Sequence, residues 1–217
     1  ANGLAAGELY LITDEERLAV GTAADAWAPV ASSGEGLIKP WVKRLDTPLI
    51  VSDVAGSALT TLAVASEREY YIPLAVSRRV TLSGLRVSVT NYASGNINLG
   101  IYGTRAAGGG SEEPGDLIAA ITAPLSIDSV GDKTGSFAAD LTLVPGRLYW
   151  AALICSGAPA LRALATASCA MTLGRTSNST AAVTHLYGNG SGATLPSSAG
   201  SVTDGTGAVP AIYLIEV

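Results

Sequence analysis

The sequence predicts an all-β protein, with a small N-terminal β-meander followed by a larger, jelly-roll-like antiparallel β-sandwich. Short runs of apolar, β-branched and aromatic residues recur along the 217-residue chain, and clusters of turn residues such as Gly, Pro, Asn and Asp separate them. Within several runs the apolar residues alternate with polar ones, as they do in strands with one buried face. No segment of convincing length follows the 3.6-residue period of a helix. The chain is therefore expected to consist of strands and turns.

Residues 1–36 are predicted to form the N-terminal meander. Three short strands are expected within residues 8–12, 17–20 and 26–30, with a turn at residues 13–16. Strands this short bury too little apolar surface to be stable alone in water. The meander is therefore expected to gain stability by packing against copies from other subunits.

Residues 37–50 are predicted to be an extended connector, because Pro40 and Pro48 interrupt any regular pattern there. Trp41 is expected to anchor this connector. The β-sandwich is predicted to occupy residues 51–217. Its strands are expected at residues 59–65, 69–76, 80–90, 97–102, 117–121, 135–143, 147–154 and 208–216.

Three stretches of the sandwich depart from a regular strand pattern. In residues 80–90 the alternation of apolar residues slips once at Ser83-Gly84, and a single slip beside Gly predicts a β-bulge. Residues 161–170 are predicted to be strand or loop, with a short Ala-rich helix as the alternative. Residues 176–207 are dominated by Ser, Thr, Asn, Gly and Ala, which predicts a long loop that is either functional or disordered.

The composition indicates self-association and excludes two classes of partner. Charged residues make up 14% of the chain, and much of its surface is expected to consist of small residues and hydroxyls. Such a surface packs closely against copies of itself, so a homo-oligomer is inferred, although a codon bias toward Ala and Gly explains the composition equally well. The net charge of −5 and the lack of a basic cluster argue against binding to nucleic acid or anionic membranes.

The chain is predicted to be soluble and to lack a signal peptide. No apolar run approaches the ~20 residues that a membrane-spanning helix needs. The N-terminus has neither the basic flank nor the apolar stretch of a secretory leader. No membrane insertion is expected.

The sequence offers little catalytic chemistry, so no enzymatic activity, catalytic residue, metal site or cofactor is predicted. There is one histidine, and no Gly-x-Ser-x-Gly turn accompanies it. The adjacent acids Glu112 and Glu113 suggest a glycosidase as a rival hypothesis, but adjacent acids in a Gly-rich loop are usually solvated turn residues. Asp128 and Asp132 suggest Ca²⁺ binding, but no EF-hand-like spacing supports it.

Two cysteines are present, which is too few for the disulfide framework of a small secreted domain. Cys155 follows an apolar run that reads as a core strand, so a buried free thiol is favoured. A disulfide with Cys169 remains the alternative if the two strands are neighbours.

Aromatic residues in loop-like settings are the best candidates for ligand contact. Aromatic side chains on strands are expected to lie in the core, whereas Tyr92 and Tyr187 fall between strand signals. His185, Tyr187 and Asn189 together form the candidate ligand-binding group, with Tyr92 as a further candidate. The alternative is a Gly- and Asn-rich turn whose side chains contact nothing specific.

Several segments resemble virion proteins of tailed bacteriophages. Gly7-Glu8-Leu9-Tyr10, Thr13-Asp14, Arg17 to Thr22 and Trp27 resemble the short β-meander of phage fibre and tail proteins. The part from Tyr70 to Tyr102, with Pro114 to Ala119 and Leu143 to Ala152, is similar to a β-sandwich module that recurs in such proteins. The resemblance covers most of the chain, but each motif consists largely of turn and core residues.

The resemblance implies a bacteriophage or prophage virion protein, a short homotrimeric fibre or spike on the tail or head. The N-terminal segment is then expected to trimerise and to attach to other virion proteins, and the sandwich to be displayed on the virion surface for contact with a host cell-surface glycan. The residues expected to serve trimerisation and attachment are Leu9, Tyr10, Leu11, Leu18, Val20 and Trp27. The alternatives are a stand-alone carbohydrate-binding module and a capsid or tail decoration protein without receptor binding.

Overall fold

The computed structural model describes residues 59–106, 112–166 and 183–217 in full, and the backbone alone of residues 9–12, 17–23, 26–29 and 49–50. The chain divides into two compact units, Ala1–Val42 and Lys43–Val217. The predicted all-β fold is confirmed, and the described residues contain strands and turns but no α-helix. No described segment is a helix capable of crossing a membrane.

The first unit contains a small antiparallel sheet. Strand β1 spans Leu9–Ile12, β2 spans Arg17–Ala23 and β3 spans Ala26–Pro29, and their order in the sheet is β1-β2-β3. Each strand pairs with the next along the chain, so the sheet is a meander, as predicted.

The second unit is a β-sandwich of two seven-stranded sheets. Its strands are β4 Leu49–Ile50, β5 Leu59–Ala63, β6 Arg68–Ala75, β7 Val80–Asn91, β8 Asn96–Ala106, β9 Glu112–Ala120, β10 Leu125–Ser126, β11 Gly131–Leu143, β12 Leu148–Cys155, β13 Ala160–Leu164, β14 His185–Asn189, β15 Thr203–Gly205, β16 Val209–Pro210 and β17 Tyr213–Glu216.

We call the two sheets the front sheet and the back sheet. In the front sheet the strand order is β10-β8-β12-β6-β14-β15, and β9 also pairs directly with β8, along residues 100–106. In the back sheet the order is β16-β13-β7-β17-β4, with β11 paired to β7 and β5 paired to β13. All of these pairs are antiparallel. The longest strand pair of the back sheet is β7 with β11, and β7 also pairs with β13 and β17.

The main core lies between the two sheets. The front sheet contributes alternate residues such as Ile72, Leu74 and Leu153, and β7 of the back sheet contributes residues such as Leu85 and Val87. All are almost completely buried. Burial of this apolar surface is the main force that holds the two sheets together.

A second core lies on the outer face of the front sheet. Its largest members are Tyr71, Tyr102 and Trp150, which are fully buried. Residues 193–202, which we call the covering segment, lie over them and contribute Leu195 and Ala199. The central strands of the front sheet, such as β12, are therefore buried on both faces.

The covering segment is held by hydrogen bonds to the strands beneath it. The hydroxyl of Tyr102 donates to the carbonyl of Pro196 at 2.6 Å. The amide of Leu117 donates to Ser197, and the amide of Ala199 donates to Gly115. The segment thus leaves β14, crosses to β9 and returns to β15, which pairs with β14.

The predicted β-bulge at Ser83-Gly84 is confirmed by the strand register. Ile215 of β17 pairs with Gly84, and the next residue, Glu216, pairs with Leu82, so Ser83 is the extra residue of β7. A side chain at Gly84 would collide with the backbone oxygen of Gly135, which explains the glycine there.

Several of the predicted element boundaries were wrong. Strand β4 lies within the predicted connector 37–50, and β9 begins at Glu112 rather than at residue 117. Residues 176–207 were expected to form one long loop, but β14 and β15 lie within them. The C-terminal strand expected at residues 208–216 is divided into β16 and β17, because Ala211 and Ile212 bend the chain between two different partner strands. Residues 161–170 were predicted to be strand or loop, and residues 161–164 belong to strand β13, while residues 167–170 lie outside the described residues. Cys169 and Trp41 lie outside the described residues.

Candidate functional site

Five connecting segments meet at one end of the sandwich, and we call them together the loop end. They are residues 64–67, 92–95, 127–130, 156–159 and 190–192. Loops at one end of a β-sandwich are a common place for recognition, because the strands beneath hold them in fixed positions.

Hydrogen bonds join each of these segments to at least one of the others. Several are backbone bonds, so they do not depend on side-chain identity. The bonds are Val64 N to Pro159 O (3.0 Å), Ala93 N to Ile127 O (3.2 Å), Gly190 N to Glu67 O (2.8 Å) and Ser66 Oγ to Ser156 O (2.8 Å). The two groups of segments that these bonds define are joined by the amide of Ser156, which donates at 2.9 Å to the carbonyl of Asn96, the residue directly after 92–95. The loop end is therefore one connected platform.

Asp128 fixes the turn between β7 and β8. Its Oδ1 accepts a hydrogen bond from the amide of Gly95 at 3.1 Å, and its Oδ2 accepts one from the hydroxyl of Ser126 at 2.9 Å. Gly95 has a φ of +129°, which side-chain-bearing residues rarely adopt. The carboxylate of Asp128 therefore stabilises a turn, and it is not a partner of Asp132, which pairs with Arg86.

Tyr92 is the prominent side chain of the loop end. It follows β7 directly, as the loop-like setting predicted, and its side chain is 62% exposed. The five segments are rich in serine and glycine, and they include Ser94, Ser129 and Ser156. A rigid aromatic ring among small hydroxyl-bearing residues is typical of protein surfaces that recognise other molecules.

His185, Tyr187 and Asn189 are brought together on one face of β14, because alternate residues of a strand point the same way. The expected loop setting is wrong for all three. Leu186, which lies between the first two, belongs to the second core on the opposite face. The rings of His185 and Tyr187 have their centroids 6.4 Å apart.

These two rings are part of a stack that extends over both β14 and β6. The ring of Tyr70 lies against His185 at 5.7 Å, and the guanidinium of Arg68 lies 4.5 Å from the centroid of the Tyr187 ring. Arg68 and Tyr70 are alternate residues of β6, which pairs directly with β14. The sequence pattern gave no sign of Arg68, since its contact depends on this pairing.

The environment of His185 favours its neutral form. The side chain is buried, and its Nδ1 lies 3.0 Å from the hydroxyl of Thr184. Burial, with a smaller effect of the nearby Arg68 charge, lowers the pKa of His185 to about 4. His185 thus lies inside the protein, whereas Asn189 is exposed and Tyr187 is partly buried.

The four predicted ligand-contact residues therefore belong to two places. Tyr92 lies in the loop that follows β7 of the back sheet, and the other three lie on β14 of the front sheet. Asn189 ends β14 and leads into residues 190–192, so it adjoins the loop end. The convergence of five turns was missed because no single turn sequence reveals which other turns it meets.

The acids of the glycosidase hypothesis do not face each other. Glu112 and Glu113 are consecutive residues of β9, so their side chains point to opposite sides of the strand. Glu113 lies 3.5 Å from the guanidinium of Arg105, and Glu112 is exposed. A pair of carboxylates that flanks one glycosidic bond is not formed by these two residues.

Metal and thiol chemistry receive little support from the residues that the structure describes. Within them no group of three or more His, Cys, Asp and Glu side chains is placed to hold a metal ion. Cys155 is a buried free thiol at the end of β12, and burial raises its pKa to about 12. A thiol in this state is unreactive near neutral pH.

The predicted trimerisation residues lie on the three strands of the first unit. Leu9, Tyr10 and Leu11 fall in β1, Leu18 and Val20 in β2, and Trp27 in β3. Their side chains lie outside the described part of the structure, so their role stays a prediction.

No protein-family model matches this chain, and no curated protein matches it.

Proposed function

We propose that this chain is an attachment protein of a tailed bacteriophage, a short homotrimeric fibre or spike that works without catalysis. In this proposal the first unit trimerises and joins the chain to other virion proteins, and the loop end of the sandwich contacts a glycan of the host surface. The proposal rests on the phage-like segments of the sequence and on the architecture of the loop end.

The observation that carries the recognition part is the exposure of Tyr92 on a hydrogen-bonded platform. The side chain of Tyr92 is 62% exposed, and the flat face of its ring suits the apolar face of a sugar ring. The hydrogen bonds of the platform hold the backbone of the loop that carries Tyr92, so this backbone loses little conformational freedom on binding. Both features favour recognition of a ligand over a purely architectural role.

Trimerisation supports attachment because it multiplies weak contacts. A single shallow sugar site binds weakly, but three copies held on one particle bind with a much higher apparent affinity. The short strands of the first unit fit this role, since a three-stranded sheet of strands of 4, 7 and 4 residues buries little apolar surface by itself.

Two measurements test the proposal. Native mass spectrometry should give three chain masses, and an array of bacterial lipopolysaccharide and capsular oligosaccharides should identify a bound glycan. Tyr92→Ala should reduce that binding at least about tenfold, the effect expected when an aromatic contact at the centre of a site is lost. Ile118→Ala is the matched control, because Ile118 is another exposed apolar residue, on β9.

Each alternative outcome has a distinct meaning. A monomer that binds glycan through Tyr92 is a carbohydrate-binding module, and the fibre proposal fails. A trimer that binds none of the glycans, and no host cells, is a decoration protein. Equal losses in Tyr92→Ala and Ile118→Ala exclude the loop end as the recognition surface.

A further inference from the structure

Tyr213 lies on the outer face of the back sheet, although it is a strand residue of a kind expected in the core. Its neighbours Ile212 and Leu214 are fully buried in the main core, so Tyr213 points away from it. Tyr213 is only partly buried. An aromatic ring on a flat sheet face can contact a ligand without any loop movement.

Arg86 lies beside this ring and is oriented by it. Arg86 and Tyr213 are directly paired across β7 and β17, and the guanidinium carbon lies 5.1 Å from the ring centroid. One Nη of Arg86 also lies 3.1 Å from a carboxylate oxygen of Asp132, whose side chain is 51% exposed. The guanidinium is thus held in place from two sides.

Arg162 adds a second cation to the same face. It lies on β13 between the buried residues Leu161 and Ala163, so its side chain points to the outer face. Its carbonyl accepts a hydrogen bond at 2.9 Å from the amide of Ala211, two residues before Tyr213. No other described residue forms an ion pair with Arg162. Among the residues whose side chains are described, this face therefore carries two guanidinium groups against one carboxylate, that of Asp132.

One polar atom of this group has no partner. The Nε of Arg86 is buried and forms no hydrogen bond to any described residue. This buried atom cannot reach a ligand at the surface, so it does not itself form part of a binding site. Two neighbouring guanidinium groups nevertheless favour an anionic partner, and carboxylates match the guanidinium geometry well. This local excess of positive charge stands in a chain whose net charge is −5.

We propose that the outer face of the back sheet, formed by Arg86, Arg162, Tyr213 and Asp132, binds a carboxylate-bearing saccharide such as a uronic-acid oligosaccharide. The two guanidinium groups receive the carboxylate, and the tyrosine hydroxyl contacts sugar hydroxyls. Short polar residues beside them, Ser88 and Thr134, fit a sugar better than a long acidic peptide.

Asp132 gives this proposal an unusual signature. Its carboxylate occupies the same guanidinium that a ligand carboxylate would use, so it competes with the ligand. Removing its charge should therefore strengthen binding, whereas most substitutions in a binding site weaken it. A residue with a purely structural role does not produce this gain.

The test uses an alginate hexasaccharide and its carboxyl-reduced, neutral form, with binding to the full chain measured by calorimetry. Arg162→Gln should weaken binding of the acidic form about fivefold or more, and Asp132→Asn should strengthen it about two- to fivefold. Lys133→Gln is the matched control. Lys133 follows Asp132 on β11, so its side chain points to the opposite face of that strand, and loss of its charge should not change the affinity for the acidic form. Tyr213→Phe tests the hydroxyl alone and should weaken binding about twofold.

Several results overturn the proposal. These are no measurable binding of the acidic form, equal binding of the neutral form, equal binding of a poly-glutamate peptide, or a loss in Lys133→Gln that matches the loss in Arg162→Gln. The site is separate from the loop end, so Tyr92→Ala should leave alginate binding unchanged. Failure here and failure of the proposed function are therefore distinguishable. Unchanged far-ultraviolet circular dichroism and melting temperature confirm that each variant is folded.

Discussion

The two sheets of the sandwich share one core, yet their outer faces differ completely. The outer face of the front sheet carries Tyr71, Tyr102 and Trp150, which are fully buried beneath the covering segment. The outer face of the back sheet carries Arg86 and Tyr213, which remain partly exposed. The outer face of the front sheet is thus part of a second core, whereas Arg86 and Tyr213 on the outer face of the back sheet are in contact with solvent.

The sequence patterns of the central strands follow from this difference. In β12 every residue from Tyr149 to Cys155 is buried, and the strand is an almost continuous apolar run. In β7 buried residues alternate with partly exposed ones, apart from the bulge at Ser83-Gly84. A strand buried on both faces cannot alternate, whereas a strand with one free face does. Stability is therefore expected to be concentrated on the front sheet, and tolerance of change on the back sheet.

The largest expected effect tests this contrast with two aromatic residues, one on each outer face. Trp150→Ala should destabilise the protein by about 3–5 kcal/mol, because it empties a fully buried site and removes the donor of the hydrogen bond to Thr104. Tyr213→Ala should cost no more than about 1 kcal/mol, since its ring is partly exposed. Urea unfolding, monitored by far-ultraviolet circular dichroism rather than by tryptophan fluorescence, measures the free energy of unfolding of both variants.

Equal losses in the two variants would contradict the contrast, because they would mean that the back sheet needs its outer face as much as the front sheet does. A smaller loss for Trp150→Ala with an altered slope of the urea transition would instead indicate that the covering segment detaches as a separate unit.

The second-largest expected effect is a loss of stability at acidic pH, and it arises from His185 on the front sheet. Burial lowers the pKa of His185 to about 4 in the folded protein, whereas a solvent-exposed histidine, as in the unfolded chain, has a pKa of 6.5. Between these values His185 binds more protons in the unfolded chain than in the folded protein. Its contribution to stability should therefore fall as the pH decreases from about 6.5 to about 4, and this contribution should change no further below that pH. The full loss is about 3 kcal/mol.

His185→Phe isolates this contribution, because it keeps an aromatic ring against Tyr70 but cannot take up a proton. The difference in unfolding free energy between the two proteins, measured from pH 7.5 to pH 3.5, removes the contribution of the carboxylates. A difference that does not vary with pH in this range would show that His185 is not held in its neutral form.

Much of the fold could be predicted from local patterns. The strand alternation of residues 80–90 and its slip at Ser83-Gly84 gave both the position of β7 and its bulge. Predictions failed where partner strands decide the outcome. The Ser- and Gly-rich stretch around His185 lacks strand propensity, and it is a strand because β6 and β15 pair with it on both sides.

The candidate sites were harder to predict, because they depend on contacts between distant segments. Exposure of Tyr92 was predictable from its position after a strand. That Tyr213 faces outward followed from the alternation of Ile212, Tyr213 and Leu214, but its aromatic character suggested the core. The pairing of Tyr213 with Arg86 required the register of β17 against β7, which the sequence does not reveal.

The smallest expected effect tests what keeps the front sheet covered. The guanidinium of Arg105 donates to the carbonyls of Ala199 and Gly200, both at 2.8 Å, and so ties the covering segment to β8. Its side chain is 40% exposed, so solvent weakens these charge-assisted bonds, and Arg105→Gln should cost only about 1 kcal/mol of global stability.

The local effect of Arg105→Gln should be much clearer than the global one. Hydrogen exchange should accelerate at the amides of Leu117 and Ala199, which bond between β9 and the covering segment. Amides of β7 that bond to β11, such as that of Val87, should keep the exchange rates of the parent protein, because they belong to the back sheet. If both sets accelerate together, the covering segment opens only when the whole sandwich unfolds, and the second core is then as much a part of the cooperative unit as the first.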